Sequence, residues 1–276
     1  MPAPGPEEHV VPFYRLDSEQ LFVADWSEPG GRARNPLLLI HGAAMDRSVW
    51  ALTGRALAAA HGPVLALDLP GHGRSRGTPR RRIEAYADCV LGLIAAIPLE
   101  QPILIGHSMG ALVALEAARR HDAAGLVLLG AAAQMPVHPR LLELARSAPG
   151  QAAQLMIRWS LPAERRFGAQ PVPGAWLPGA TRRLILNAGP GVLAADLEAC
   201  NAYAAGARAA AAIRCPALVI AGTRDRMTPP RAGRALAARI EGGRFMSIED
   251  CGHLMMLEQP RRVVQLIADF LGPRIA

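Results

Sequence analysis

A serine stands at the centre of Gly106-His107-Ser108-Met109-Gly110, between the apolar run Ile103-Leu104-Ile105 and the helical pattern Ala111-Leu112-Val113-Ala114-Leu115-Glu116-Ala117. A buried strand, a sharp turn on serine and a helix starting at once put the hydroxyl at the tip of a strained strand-to-helix turn, which makes Ser108 the candidate nucleophile. Glycines two residues to either side leave space where bulkier side chains would strike the neighbouring strand and helix. The following helix opens with unpaired backbone N–H groups, and that of Met109 would face an oxygen turning negative during acyl transfer. A Gly-flanked serine in an ordinary strand-to-helix turn has the same five letters, so the reading depends on the surrounding elements.

Those elements alternate. Residues 10–15 and 20–26 alternate like a hairpin around Asp17-Ser18-Glu19, and a Gly/Arg/Pro-punctuated loop covers 28–36. Continuous Leu/Ile/Val-rich runs at 37–41, 63–68, 102–107 and 125–130 predict strands of a parallel sheet buried on both faces, with helices near 48–60, 84–97 and 110–121 between them. This is an α/β pattern, a doubly wound, mostly parallel sheet whose chemistry belongs at the carboxyl ends of the strands. After Gly130 the rhythm breaks. From about 133 to 212 helical patterns at 140–148, 151–159, 181–187 and 192–212 are joined by Pro/Gly-rich stretches such as Gln170-Pro171-Val172-Pro173-Gly174. Strand character returns at 217–221, followed by a helix from about 230 and a strand near 244–248. Three chemistry-bearing stretches then fall at strand ends: His41-Gly42-Ala43-Ala44, Asp225 in Gly222-Thr223-Arg224-Asp225, and His253 in Asp250-Cys251-Gly252-His253.

Composition narrows the classes. The 276 residues are 51% hydrophobic, yet no charge-free apolar run reaches the roughly 18 residues of a membrane span. Met1-Pro2-Ala3-Pro4-Gly5-Pro6-Glu7-Glu8 lacks the basic and apolar regions of a signal peptide and suggests a loose tail over 1–9. Cys89, Cys200, Cys215 and Cys251 are scattered, as in a reduced cytoplasmic protein. The formal charge of +7 arises from 30 arginines with no lysine. Its densest stretch, 74–82, has no interleaved aromatics, which speaks against a nucleic-acid partner. The eight histidines show no metal-ligand spacing, so neither a metal nor another cofactor is expected.

Taken in order, His41-Gly42, Asp68-Leu69-Pro70-Gly71-His72-Gly73-Arg74-Ser75, the Ser108 turn, the Gly-x-x-Asp turn and the late Gly-His resemble the α/β-hydrolase family over nearly the whole chain outside the insertion and tail. The resemblance implies a core of 1–132 and 213–276 with a helical cap of 133–212. It also implies a triad of nucleophile Ser108, acid Asp225 and base His253, with the backbone N–H groups of Ala43 and Met109 as oxyanion donors. A serine hydroxyl needs such a base to remove its proton and return it to the leaving group, and the acid to hold the imidazole tautomer. His41 and His107 read as structural hydrogen-bonders. Asp250, Asp46 and Asp122 are rival acids, but none follows a core strand in the family's position; His72 is a second imidazole on the active face.

Relatives that open epoxides or displace halide carry Asp at the turn, so Ser108 points elsewhere. The expected function is hydrolysis of small to medium carboxylic esters through an acyl-enzyme. The alternatives are C–C bond hydrolysis or perhydrolysis by the same triad, and a ligand receptor on the same scaffold. Met135, Met156, Trp159, Trp176, Met255 and Met256 are candidates to line an apolar acyl pocket beneath the insertion.

Overall fold

The computed structural model describes residues 13–16, 19–27, 35–97, 99–168, 174 and 176–272. The expected loose tail, most of the loop 28–36 and the connection 170–173 lie outside the described residues. Among those described there are nine strands: β1 (Tyr14–Leu16), β2 (Glu19–Leu21), β3 (Val23–Asp25), β4 (Leu37–Ile40), β5 (Val64–Leu67), β6 (Ile103–His107), β7 (Gly125–Leu129), β8 (Ala217–Gly222) and β9 (Arg244–Ile248). Seven form one sheet in the order β3-β5-β4-β6-β7-β8-β9, parallel except for β3 at one edge. The expected hairpin is divided: β1 pairs only with β2, and the chain crosses at Phe22 so that β3 joins the main sheet beside β5. One alternating run thus serves two sheets.

Every residue of β4, β5, β6, β7 and β8 is buried, which is why these strands read as unbroken apolar runs. Leu38, Ile40 and Leu104 join one core cluster, whereas Leu37, Leu39, Ile103 and Ile105 join the other. Helices α1 (Ala51–Ala60), α2 (Ile83–Ala96) and α3 (Met109–Ala118) close the first crossovers. Full burial of each such aliphatic side chain contributes about 1.5–3 kcal/mol relative to exposure, so the sheet is a rigid platform.

Between β7 and β8 the chain forms α4 (Pro139–Ser147), α5 (Pro149–Ser160), α6 (Ala163–Phe167), α7 (Leu177–Asn187), α8 (Val192–Ala202) and α9 (Gly206–Ala211). The single helix expected over 192–212 is interrupted at Tyr203, whose buried ring leaves the helical course and whose hydroxyl donates to Glu116 of α3 at 2.9 Å. Helix α9 then packs on α3. After β8 come α10 (Pro230–Ala237), β9, α11 (Met255–Glu258) and α12 (Pro260–Leu271).

Register decides where the chemistry sits. Ile40 is level with Gly106, His107 with Leu129, Leu129 with Ile220, and Gly222 with Ile248. The turns that follow β4, β6, β8 and β9 therefore emerge along one edge, the carboxyl edge of the sheet.

Candidate active site

Ser108 follows β6 as the residue before α3, with φ 53° and ψ −117°, a conformation that costs a residue with a side chain on the order of 1–3 kcal/mol. Its neighbours hold it there: the Ser108 N–H donates to Leu129 O at 2.9 Å, and the Ser108 carbonyl accepts from Ala111 N at 2.9 Å as α3 begins. A side chain on Gly106 would run into the Gly110 carbonyl and the Ala111 backbone, and one on Gly110 into the carbonyls of Ile40 and His41. Both glycines are thus required by the close approach of strand, turn and helix. The sequence expectation for this turn and the observed geometry coincide.

His253 follows β9 and is buried. Its Nδ1–H donates to Asp225 Oδ2 at 2.7 Å, which leaves Nε2 as the atom free to take a proton. Asp225 follows β8 in a tight turn, with Oδ1 accepting from the backbone of Met227 at 2.7 Å and Thr228 at 2.9 Å. The Thr228 hydroxyl donates to Asp225 Oδ2 at 2.8 Å and lies 3.2 Å from His253 Nδ1. Burial alone would raise the Asp225 carboxyl, but the facing imidazole and the Thr228 bonds outweigh it and hold it below the usual carboxylate range. Thr228 was missed by the sequence reading, although an Asp followed three positions later by Thr is a recognisable turn pattern.

Several bonds aim the histidine loop. The His253 N–H donates to Ser160 O at 2.7 Å, so the end of α5 holds it from above, and the His253 carbonyl accepts from His107 Nε2–H at 2.9 Å. Glu258 of α11, fully buried, takes the N–H of Gly252 at 3.0 Å and of Leu254 at 3.1 Å, clamping the backbone on both sides of His253. Burial pushes the Glu258 carboxyl up to about 7 despite these two bonds. Asp250, by contrast, is exposed and reaches toward Arg224 at 3.4 Å, away from the imidazole.

The turn after β4 lies against the Ser108 turn, with Gly42 closest to His107 and Ser108. His41 donates from Nδ1 to Gly42 O at 2.9 Å and accepts Leu69 N–H on Nε2 at 3.0 Å, and burial pushes this ring down to about 3. Burial likewise pushes His107 down to about 3. Both are neutral spacers. Among the described residues neither the Ala43 nor the Met109 N–H has a hydrogen-bond acceptor, as a donor waiting for a transient anion requires.

A cavity of about 450 Å³ opens between this edge and the inserted helices, and Ala43, Ser108 and His253 line it together with Met135, Met156 and Trp159. Three expected pocket residues do not. Trp176 is 67% exposed at the start of α7, and Met255 and Met256 are fully buried in the core cluster on the other face of the sheet, because α11 turns inward directly after His253. Gln134, His138, Met227, Arg226 and Arg231 complete the wall where those were expected.

Residues 37–266 match the profile of the Alpha/beta hydrolase family. A pimeloyl-[acyl-carrier protein] methyl ester esterase from Aromatoleum aromaticum is 34% identical over 260 residues, covering 86% of this chain and 98% of its own. The crystal structure of the enol-lactonase from Burkholderia xenovorans is similar with a TM-score of 0.85 and 28% identity, over 94% of this chain and 99% of that one. A thermophilic esterase from Thermogutta terrifontis has a TM-score of 0.80 and 32% identity, over 92% and 93%.

Proposed function

Because the chain belongs to the alpha/beta hydrolase family, we propose that it is a serine hydrolase that cleaves small to medium carboxylic esters through an acyl-enzyme. The observation that carries this reading is that Ser108 and His253 face one cavity while Asp225 holds the histidine by Nδ1 at 2.7 Å. In the proposed reaction His253 Nε2 takes the hydroxyl proton as Ser108 Oγ adds to the ester carbonyl. The oxyanion of the tetrahedral adduct receives the N–H groups of Ala43 and Met109. As the adduct collapses, the C–O bond to the alcohol breaks, and His253 gives its proton to the departing oxygen. Water then attacks the acyl-serine with His253 again as base, and the acid leaves as Ser108 regains its proton.

The resemblance to an esterase and to an enol-lactonase supports an ester or cyclic ester as the scissile group. The cavity's volume of about 450 Å³ and its Met and Trp wall support a mainly apolar acyl or alkoxy chain of modest size. The helices of 133–212 serve in this reading as the cap that closes the cavity. The test pairs a panel of acyl esters and lactones of graded length with a fluorophosphonate probe. Ser108→Ala is expected to abolish turnover and labelling while the fold is kept; undiminished labelling overturns the proposal.

A further inference from the structure

Asp196 belongs to α8, in the helical insertion, and is 0% exposed. Its carboxylate receives three donors that are remote in sequence and belong to the core. Tyr86 of α2 donates to Oδ1 at 2.6 Å, while the Ala44 N–H at 2.7 Å and His72 Nε2–H at 2.8 Å share Oδ2. His72 also donates from Nδ1 to Pro70 O at 3.0 Å, so both ring nitrogens carry protons. Burial would lower this ring, but the charge of Asp196 and its hydrogen bond prevail and raise it. The neighbouring His41 ring, centred 4.8 Å away, is neutral and shares no proton with the pair. Asp196 and His72 thus form a buried ion pair in which the remaining carboxylate valences go to one tyrosine and one backbone amide.

That amide matters because of where it is. Ala44 has φ 51°, a left-handed conformation disfavoured for any residue with a Cβ. It directly follows Ala43, whose N–H has no acceptor among the described residues. Fixing the Ala44 N–H fixes the plane of the peptide between them and, through one Cα, the direction of the Ala43 N–H.

We propose that Asp196 is a positioning residue of the oxyanion turn, holding Ala44 in its left-handed conformation so that the Ala43 N–H stays directed into the cavity. The proposal rests on the reading of Ala43 as an oxyanion donor. It makes the inserted helices part of the catalytic apparatus in an unexpected way: α8 supplies a buried anchor to the turn after β4, so displacing α8 loosens the donor.

The test compares Asp196→Asn, which keeps size but loses charge, and Asp196→Glu, which keeps charge but moves the acceptor facing Ala44. The control is Tyr203→Phe, which removes a buried tyrosine–carboxylate bond from the end of α8 to Glu116 of α3 and leaves the Asp196 bonds to Ala44, His72 and Tyr86 in place. Active sites are counted by fluorophosphonate titration carried to completion, so unfolded protein is excluded from kcat. Both Asp196 variants are expected to lose about ten- to a hundredfold in kcat per titrated site, with KM within about threefold of wild type. Tyr203→Phe is expected to lower the thermal midpoint and leave kcat per site unchanged. If Ser108→Ala abolishes turnover yet a folded Asp196 variant retains kcat per site, the positioning role is overturned and the serine-hydrolase reading stands. If Ser108→Ala itself remains active, that underlying reading fails first.

Discussion

In the proposed reaction the two nitrogens of His253 have different duties, and the Asp225 bond to Nδ1 decides which is which. Because Oδ1 of Asp225 is already committed to the N–H groups of Met227 and Thr228, an amide at this position must put its oxygen there and its NH₂ toward His253 Nδ1. The imidazole would then carry its proton on Nε2 and present none of the lone pair needed for a base. Asp225→Asn is therefore expected to lower kcat by roughly four orders of magnitude, as in the best-studied triad. Asp250→Asn, at an exposed side chain facing Arg224, should change kcat less than about twofold. Steady-state kinetics of the two variants on one ester checks both, and a reversed outcome would move the acid. The positions of Ser108, Asp225 and His253 just after buried strands were legible because turn chemistry and chain order constrain them. Thr228 carried a weaker signal, its spacing from Asp225. Asp196 had almost none: its partner Ala44 is 152 positions away, and only a lone carboxylate inside Val192-Leu193-Ala194-Ala195-Asp196-Leu197 hinted at a buried charge.

At the scale of elements, the buried strands announced themselves by composition, whereas the inserted helices showed their presence but not which face each turns to the cavity. Trp159 and Trp176 illustrate the difference. Both are large aromatics in the insertion, but Trp159 is on α5 with its ring against His138 at the cavity wall, and Trp176 caps the exposed start of α7. Side-chain direction follows from helix packing, which a single sequence leaves open. Trp159→Ala should therefore shift the preferred acyl length toward longer chains, and Trp176→Ala should leave the profile unchanged; kcat/KM across a graded ester series separates them. Thr181 and Ile185 of α7 already line the cavity, so an equal shift in both variants would bring the start of α7, with Trp176, to it as well. The strand-to-helix turn is a second element-level device. Gly110→Ala should destabilise by about 1–3 kcal/mol or more through collision with the β4 carbonyls, measurable as a lower urea midpoint.

For the whole molecule, buried titratable groups set how stability varies with pH. His41 and His107 are held neutral down to about 3, while in the unfolded chain each takes a proton near 6.5. Their contribution is present above that unfolded value and is lost as pH falls. Glu258 opposes them: its folded value of about 7 exceeds the unfolded 4.5, so its contribution is present at low pH and lost as pH rises through 7. Between about pH 4.5 and 6.5 the unfolded chain therefore holds about one proton more than the folded one from these three groups, and stability should climb by about 1.4 kcal/mol per pH unit. Above neutrality the His41 and His107 contribution is complete, and the raised pKa of His72 makes stability fall again as its ion pair with Asp196 discharges. The expected optimum is near neutral pH. Glu258→Gln isolates one component of this balance. Glutamine offers one oxygen to the two N–H groups of Gly252 and Leu254, whereas the charged carboxylate present above pH 7 offers two. The variant also lacks the proton uptake that favours folded wild type in acid. The stability gap between wild type and Glu258→Gln should accordingly be wider at pH 5 than at pH 8 in urea denaturation followed by circular dichroism. A gap of the same size at both would mean that Glu258 keeps an ordinary carboxylate's proton affinity inside the fold, and that the clamp around His253 is charged throughout.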